Sequence, residues 1–135
     1  MNEQATAIIK SYFEQKPDVV AVYLFGSYAE GRQRHKSDID IGILLQGSER
    51  TGAVDKRIDY MVELSRLLKK DIHPVILNSA SEALIRQIFL KGKCILVNDS
   101  RELAKYKMMM ISRIADFGYY RTMIHSGFVN KVMEG

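Results

Sequence analysis

Leu24-Phe25-Gly26-Ser27 is followed, after a polar loop through Gly31, Arg32, Gln33, Arg34, His35 and Lys36, by Ser37-Asp38-Ile39-Asp40-Ile41-Gly42-Ile43-Leu44-Leu45, and this stretch decides the fold. Val19 to Phe25 is continuously apolar and reads as a buried strand that runs directly into the Gly26-Ser27 turn, with a short helix expected around Tyr28 to Gly31. Ile39 to Leu45 reads as a second strand. Alternate residues of a strand share a face, so Asp38 and Asp40 point one way while Ile39 and Ile41 point the other.

Two carboxylates roughly 7 Å apart on one strand face repel each other, and burying them uncompensated is costly. A divalent cation between them removes that cost. Mg2+ and Mn2+ suit oxygen donors, and Mg2+ in particular is held by one or two carboxylates together with substrate phosphates. Gly26 gives the backbone freedom for close approach, and the Ser27 hydroxyl with neighbouring amides at a helix start can bind phosphate oxygens. A Gly-Ser turn alone is common, and Asp-x-Asp at a strand start is often a solvated edge. Their conjunction, ten residues apart, suits metal-dependent nucleotidyl transfer. No Gly-Lys-Ser/Thr follows the glycine turn, which disfavours a P-loop hydrolase.

Working outward, helical and strand patterns alternate, which favours a two-layer α/β sandwich. Residues 3 to 15 carry Ala5, Ile8, Ile9, Tyr12 and Phe13 at helical spacing, and Pro17 stops that helix. Residues 53 to 69 read as a helix with Val54, Ile58, Met61, Leu64 and Leu68 toward the core, and Asp71 to Leu77 as a third strand. Ser79 with Glu82 forms a capping-box pattern opening a helix that bears Leu84, Ile85, Ile88 and Phe89. A short strand at Cys94 to Val97 closes the sheet. From Arg101 to about Val132 a long helix is expected with two apolar faces, one carrying Leu103, Tyr106, Met110, Ile114, Phe117, Ile124 and Phe128, the other Met108, Ile111, Ala115, Tyr119 and Met123. A surface helix needs only one apolar stripe, so the second face is expected to meet another protein. The organisation is thus one domain, a core over residues 1–98 and a C-terminal helical segment over 99–135.

Composition agrees with one globular domain: 135 residues, 47% hydrophobic and 27% charged. The lone Cys94 excludes an intrachain disulfide and suits a reducing cytoplasm. No secretory signal or membrane span is expected, since the longest apolar runs are far too short. The formal charge of +4 does not choose among partners.

The segment Gly26-Ser27, ten residues, Asp38-Ile39-Asp40 resembles the signature of DNA polymerase beta-like nucleotidyltransferases. The short chain is similar to the minimal nucleotidyltransferase, or MNT, antitoxins that partner HEPN-domain toxins. The resemblance implies the polymerase beta-like fold, a small mixed sheet with helices packed on it, and a third carboxylate on a neighbouring strand, for which Asp71 is the candidate. Asp71 shares a face with His73 and Val75 by the period of two. Glu30 stands where many relatives carry Arg, so no phosphate contact is expected from position 30.

The resemblance further implies transfer of AMP from ATP to a hydroxyl, tyrosine by preference, of a cognate HEPN ribonuclease toxin, which is thereby silenced. Asp38, Asp40 and Asp71 would serve as catalytic and metal-binding residues for two Mg2+ ions, with Mn2+ as substitute, and Gly26, Ser27 and Arg32 would bind phosphates. Arg32, Arg34, Lys36 and His35 share one loop, which neutralises a triphosphate or is simply solvated. His73 reads either as a hydrogen-bonding neighbour of the site or as structural, which a lone histidine on a strand more often is; His125 has no visible partner. No direct nucleic-acid binding is expected. Two rivals stay open: a module that masks its toxin by binding alone, and a nucleotidyltransferase for a small molecule such as an aminoglycoside.

Overall fold

The computed structural model describes residues 3–26, 38–47, 52–115 and 128–134. In chain order these form α1 (Glu3–Glu14), β1 (Val19–Phe25), β2 (Ile39–Leu45), α2 (Ala53–Leu68), β3 (Ile72–Ile76), a 3-10 turn (Leu77–Ser79), α3 (Glu82–Lys91), β4 (Lys93–Val97), α4 (Ser100–Ala115) and α5 (Phe128–Glu134). The four strands make one mixed sheet in the order β3-β2-β1-β4. β1 runs antiparallel to both β2 and β4, whereas β2 and β3 are parallel. Among these residues no helix is long and apolar enough to cross a membrane.

β1 is apolar throughout because it is buried on both sides, and a bulge between Val19 and Ala21 resets its alternation. Val19, Val22 and Leu24 pack under α1 and α2 with Ile39, Ile41, Ile43 and Leu45 of β2. Val20, Ala21, Tyr23 and Phe25 pack on the other face with Leu44 and with α3, α4 and α5. Helices therefore cover both faces, so the expectation of two layers is corrected to three, while the α/β class and the mixed sheet stand.

On the first face Phe13 meets Tyr12 and Tyr60 edge-on, with ring centroids 4.9 and 5.1 Å apart, and the Tyr12 hydroxyl donates to Glu63. On the second, Phe89 lies between Tyr23 and Tyr106, and the Tyr106 hydroxyl donates to the Leu77 carbonyl at 2.9 Å. Asn78 clamps the end of β2, accepting from Leu45 N–H and donating to the carbonyls of Leu45 and Gly47.

Two local expectations change. On α2 the core face is Tyr60 and Leu64, with Ala53 and Leu68 packed beside them, whereas Val54 and Ile58 are 64% and 41% exposed. The helix carries two apolar stripes, and α1 covers only the one beneath Phe13. The cap of α3 is Ser81, whose Oγ accepts from Leu84 N–H at 3.2 Å, because Ser79 is already taken up in the 3-10 turn. β4 is an edge strand with only Leu96 buried, so Cys94 sits half-buried. Of the C-terminal segment the described residues include two helical stretches, α4 and α5; residues 116–127, through which the long helix is expected to run, lie outside the described residues. Leu103, Tyr106 and Met110 of α4 are buried against the sheet, while Met108 and Met109 are 57% and 45% exposed.

Candidate active site

The site forms where β1 ends and β2 and β3 begin. The pleat sends Ile39, Ile41 and Ile43 into the core beneath α1 and α2. It sends Asp40 to the other face with Gly42, against which Leu77 and Ile88 pack, and with Leu44. Asp38, one residue before β2, has the same parity. The expected common face for the two carboxylates is thus built by a strand whose other face is wholly apolar.

Asp40 pairs with Phe25 on one side and His73 on the other. Burial pushes its carboxyl above the usual carboxylate value; the nearby His73 pulls it back down and Asp38 pushes it up. A carboxylate disfavoured by desolvation and by a second carboxylate is a place where a cation gains.

Gly26 closes on this group. Its φ is +73°, in the left-handed region, and a Cβ placed on it would collide with Asp40 Oδ2. Only glycine admits both the turn and the approach of the backbone to the carboxylate. Gly92, where α3 turns into β4, is equally tight: a Cβ there would meet the carbonyls of Ile88 and Leu24, which fixes the end of β1 that precedes Gly26.

His73 Nε2 lies 3.2 Å from Asp38 Oδ2. The contact follows from β2 and β3 being parallel with Asp40 opposite His73. Period-two reading puts His73 on one face of its strand, but without the register it cannot say which carboxylate lies beside it. Asp71 comes just before β3, exposed, and its carbonyl accepts from Ile39 N–H at 2.9 Å. β3 opens at Ile72 rather than Asp71. Among the described residues no group of three or more His, Cys, Asp or Glu side chains stands gathered around one cation-sized point, so Asp71 is not brought into a single ligand set with Asp38 and Asp40. Ser27 and Arg32, with Glu30, Arg34, His35 and Lys36, lie outside the described residues.

A separate cleft of about 460 Å³ opens at the other end of β2, lined by Leu44, Leu45, Asn78, Tyr106, Met109 and Arg113 among others. It sits roughly 13 Å along the strand from Asp40, too far to share its chemistry.

The donor set fits a hard divalent cation: two same-face carboxylates, one of them short of solvent, beside the left-handed Gly26.

Comparison with known proteins gives the same picture. The family model "Polymerase beta, Nucleotidyltransferase" matches residues 8–101. The protein adenylyltransferase MntA of Shewanella oneidensis is 37% identical over 86 residues, 64% of this chain and 60% of that protein. The chain therefore spans about 60% of the length of the curated relative it matches. Among solved structures, a toxin–antitoxin complex with AMP-PNP aligns over 93% of this chain and 97% of its own at 30% identity, with a TM-score of 0.68. The MNT antitoxin in complex with the tri-AMPylated HEPN toxin of Shewanella oneidensis aligns over 93% and 97% at 26% identity, with a TM-score of 0.64. With more than half its length matched by the family model, and with the paired carboxylates beside the glycine turn, the chain belongs to the polymerase beta nucleotidyltransferase family.

Proposed function

We propose that this chain is an antitoxin that transfers AMP from ATP to a hydroxyl, a tyrosine by preference, of a cognate HEPN-domain toxin and so silences it. The observation that carries the reading is the meeting of Gly26 with Asp40, next to Asp38, in a chain similar to an adenylyltransferase and to an antitoxin bound to a tri-AMPylated HEPN toxin.

In the reaction the acceptor oxygen attacks the α-phosphorus of ATP. A new oxygen–phosphorus bond forms, the bond to the β-phosphate breaks, and pyrophosphate leaves. Asp38 and Asp40 are the residues that would hold the divalent cation, Mg2+ or Mn2+, which when bound offsets phosphate charge and acidifies the acceptor hydroxyl. Gly26 lets the backbone close on Asp40 with no side chain between them. Ser27 and Arg32 are assigned to the outer phosphates. Asp71, exposed just before β3, is assigned to receive the proton of the incoming hydroxyl.

The partner presents the acceptor, and the exposed Met108 and Met109 of α4 are the proposed docking face. Labelled ATP tests the reading. With the chain, the HEPN protein and divalent cation present, label on the α-phosphate is expected on the HEPN protein and label on the γ-phosphate is not. Transfer of the γ-label, or of neither, would refute it.

A further inference from the structure

The fold leaves the second apolar stripe of α2 uncovered. Val54, Ile58 and Val62 follow one another at intervals of four, so they form a single row along the helix. They are 64%, 41% and 46% exposed, with the partly buried Met61 beside them. α2 covers the sheet face opposite Asp38 and Asp40, and the proposed docking residues Met108 and Met109 belong to α4 on the other face. Neither the transfer site nor that docking face accounts for this row.

Charge decides what covers it. Asp55 and Arg66 are both exposed and stand about three helical turns apart, so they flank the row on the same edge, near its two ends. Among the described residues neither has an ion-pair partner. A two-fold axis through the middle of the helix, between Tyr60 and Met61, lays a second copy antiparallel on the first. Ile58 then meets the partner's Val62, and Asp55 meets the partner's Arg66, each contact being made twice. This is the self-complementarity that an isologous interface requires. Parallel pairing would instead set Asp55 against the partner's Asp55 and Arg66 against the partner's Arg66, a repulsive arrangement. The neighbouring sheet edge offers no rival mode. β3 is the edge strand along which α2 packs, and because Ile39 N–H bonds to the Asp71 carbonyl, the backbone groups of Ile72, Pro74 and Ile76 point away from β2. Pro74 has no N–H to give there, which blunts strand addition. We propose that α2 is a self-association surface through which two copies of this chain pair antiparallel, back to back, leaving both carboxylate sites and both α4 faces open.

One face of a 16-residue helix lies at the low end of interface sizes, so the pair is expected to be reversible, with a Kd on the order of 100 µM. The test is sedimentation equilibrium of the full chain alone, from about 10 µM to about 1 mM, a range that brackets this Kd. A monomer–dimer equilibrium is expected for the wild type. Ile58→Glu should weaken it at least about tenfold, because a charge is forced into an apolar contact. Asp55→Arg should also weaken it, and Asp55→Arg combined with Arg66→Asp should restore it, since the swap re-forms the pair with its signs exchanged. Melting temperatures within a few degrees of wild type show that each variant is folded, as expected for side chains on the exposed face. A monomer across the whole range, a dimer untouched by Ile58→Glu, or a double swap no tighter than Asp55→Arg alone overturns the proposal. So does a wild type that stays monomeric while Ile58→Glu loses binding of the HEPN protein, because the stripe would then belong to that partner. AMP transfer enters none of these readouts, so the pairing stands or falls apart from the functional reading.

Discussion

Gly26→Ala separates the geometry of the site from the stability of the fold. Alanine at φ +73° carries a left-handed penalty of about 1–2 kcal/mol. In a chain of 135 residues that corresponds to a fall in Tm of roughly 3–10 °C. The new Cβ also collides with Asp40 Oδ2, so the carboxylate must swing aside. A displacement of about 1 Å at a reacting centre costs on the order of 100-fold in rate. Gly52, the residue before α2, supplies the control, because its φ is +85° and a Cβ there meets nothing within 4 Å. Gly52→Ala should lose similar stability and keep its activity. Single-turnover AMP transfer below both melting temperatures, beside thermal unfolding of each variant, makes the comparison. If the two variants melt alike and transfer alike, the close approach of Gly26 to Asp40 has no part in catalysis and the reasoning is refuted.

Three further outcomes follow from the packing. Asn78→Ala removes three hydrogen bonds of 2.9, 2.9 and 3.1 Å at the end of β2 and should lower stability by about 2 kcal/mol in chemical denaturation; no change would mean that water replaces the clamp without cost. Lys56 on α2 reaches Asp18 at 2.7 Å, and its hydrogen bond holds that carboxyl below the usual value. Because the folded pKa is the lower one, the stabilisation is present above the ordinary carboxylate value and lost as pH falls through the folded value. Lys56→Ala should therefore be weaker than wild type near pH 7, by about 0.5 kcal/mol for so exposed a pair, and converge with it in acid; a gap that persists in acid would contradict this. Finally, Met108→Glu with Met109→Glu should leave the melting temperature within a few degrees and weaken binding of the HEPN protein at least tenfold in calorimetry; undiminished binding would move the docking face elsewhere.

Much of this architecture was legible because a few residues admit one role. The unbroken apolar run of β1 marked it as a buried strand, though not that helices cover both its faces, and the alternation Asp38-Ile39-Asp40-Ile41 set the carboxylate face once β2 was known to be a strand. Failures came where two patterns overlapped. α2 carries both Val54-Ile58 and Tyr60-Leu64 at helical spacing, and only the position of Phe13 selects the second. Ser79 and Ser81 both qualify as caps, and the 3-10 turn decides between them. The contact of His73 with Asp38 was hidden for a different reason: a strand's own sequence says nothing of its register against a neighbour 33 residues away, which here sets His73 opposite Asp40.

The central claim, that Asp38 and Asp40 drive transfer of AMP to a HEPN partner, is tested most directly by intact mass spectrometry of that partner after incubation with this chain, ATP and Mg2+ or Mn2+. One or more AMP increments are expected with the wild type and none with Asp38→Ala combined with Asp40→Ala, while that variant still forms the complex. Increments that persist in the double variant, or a partner silenced with no change in mass, would contradict the account.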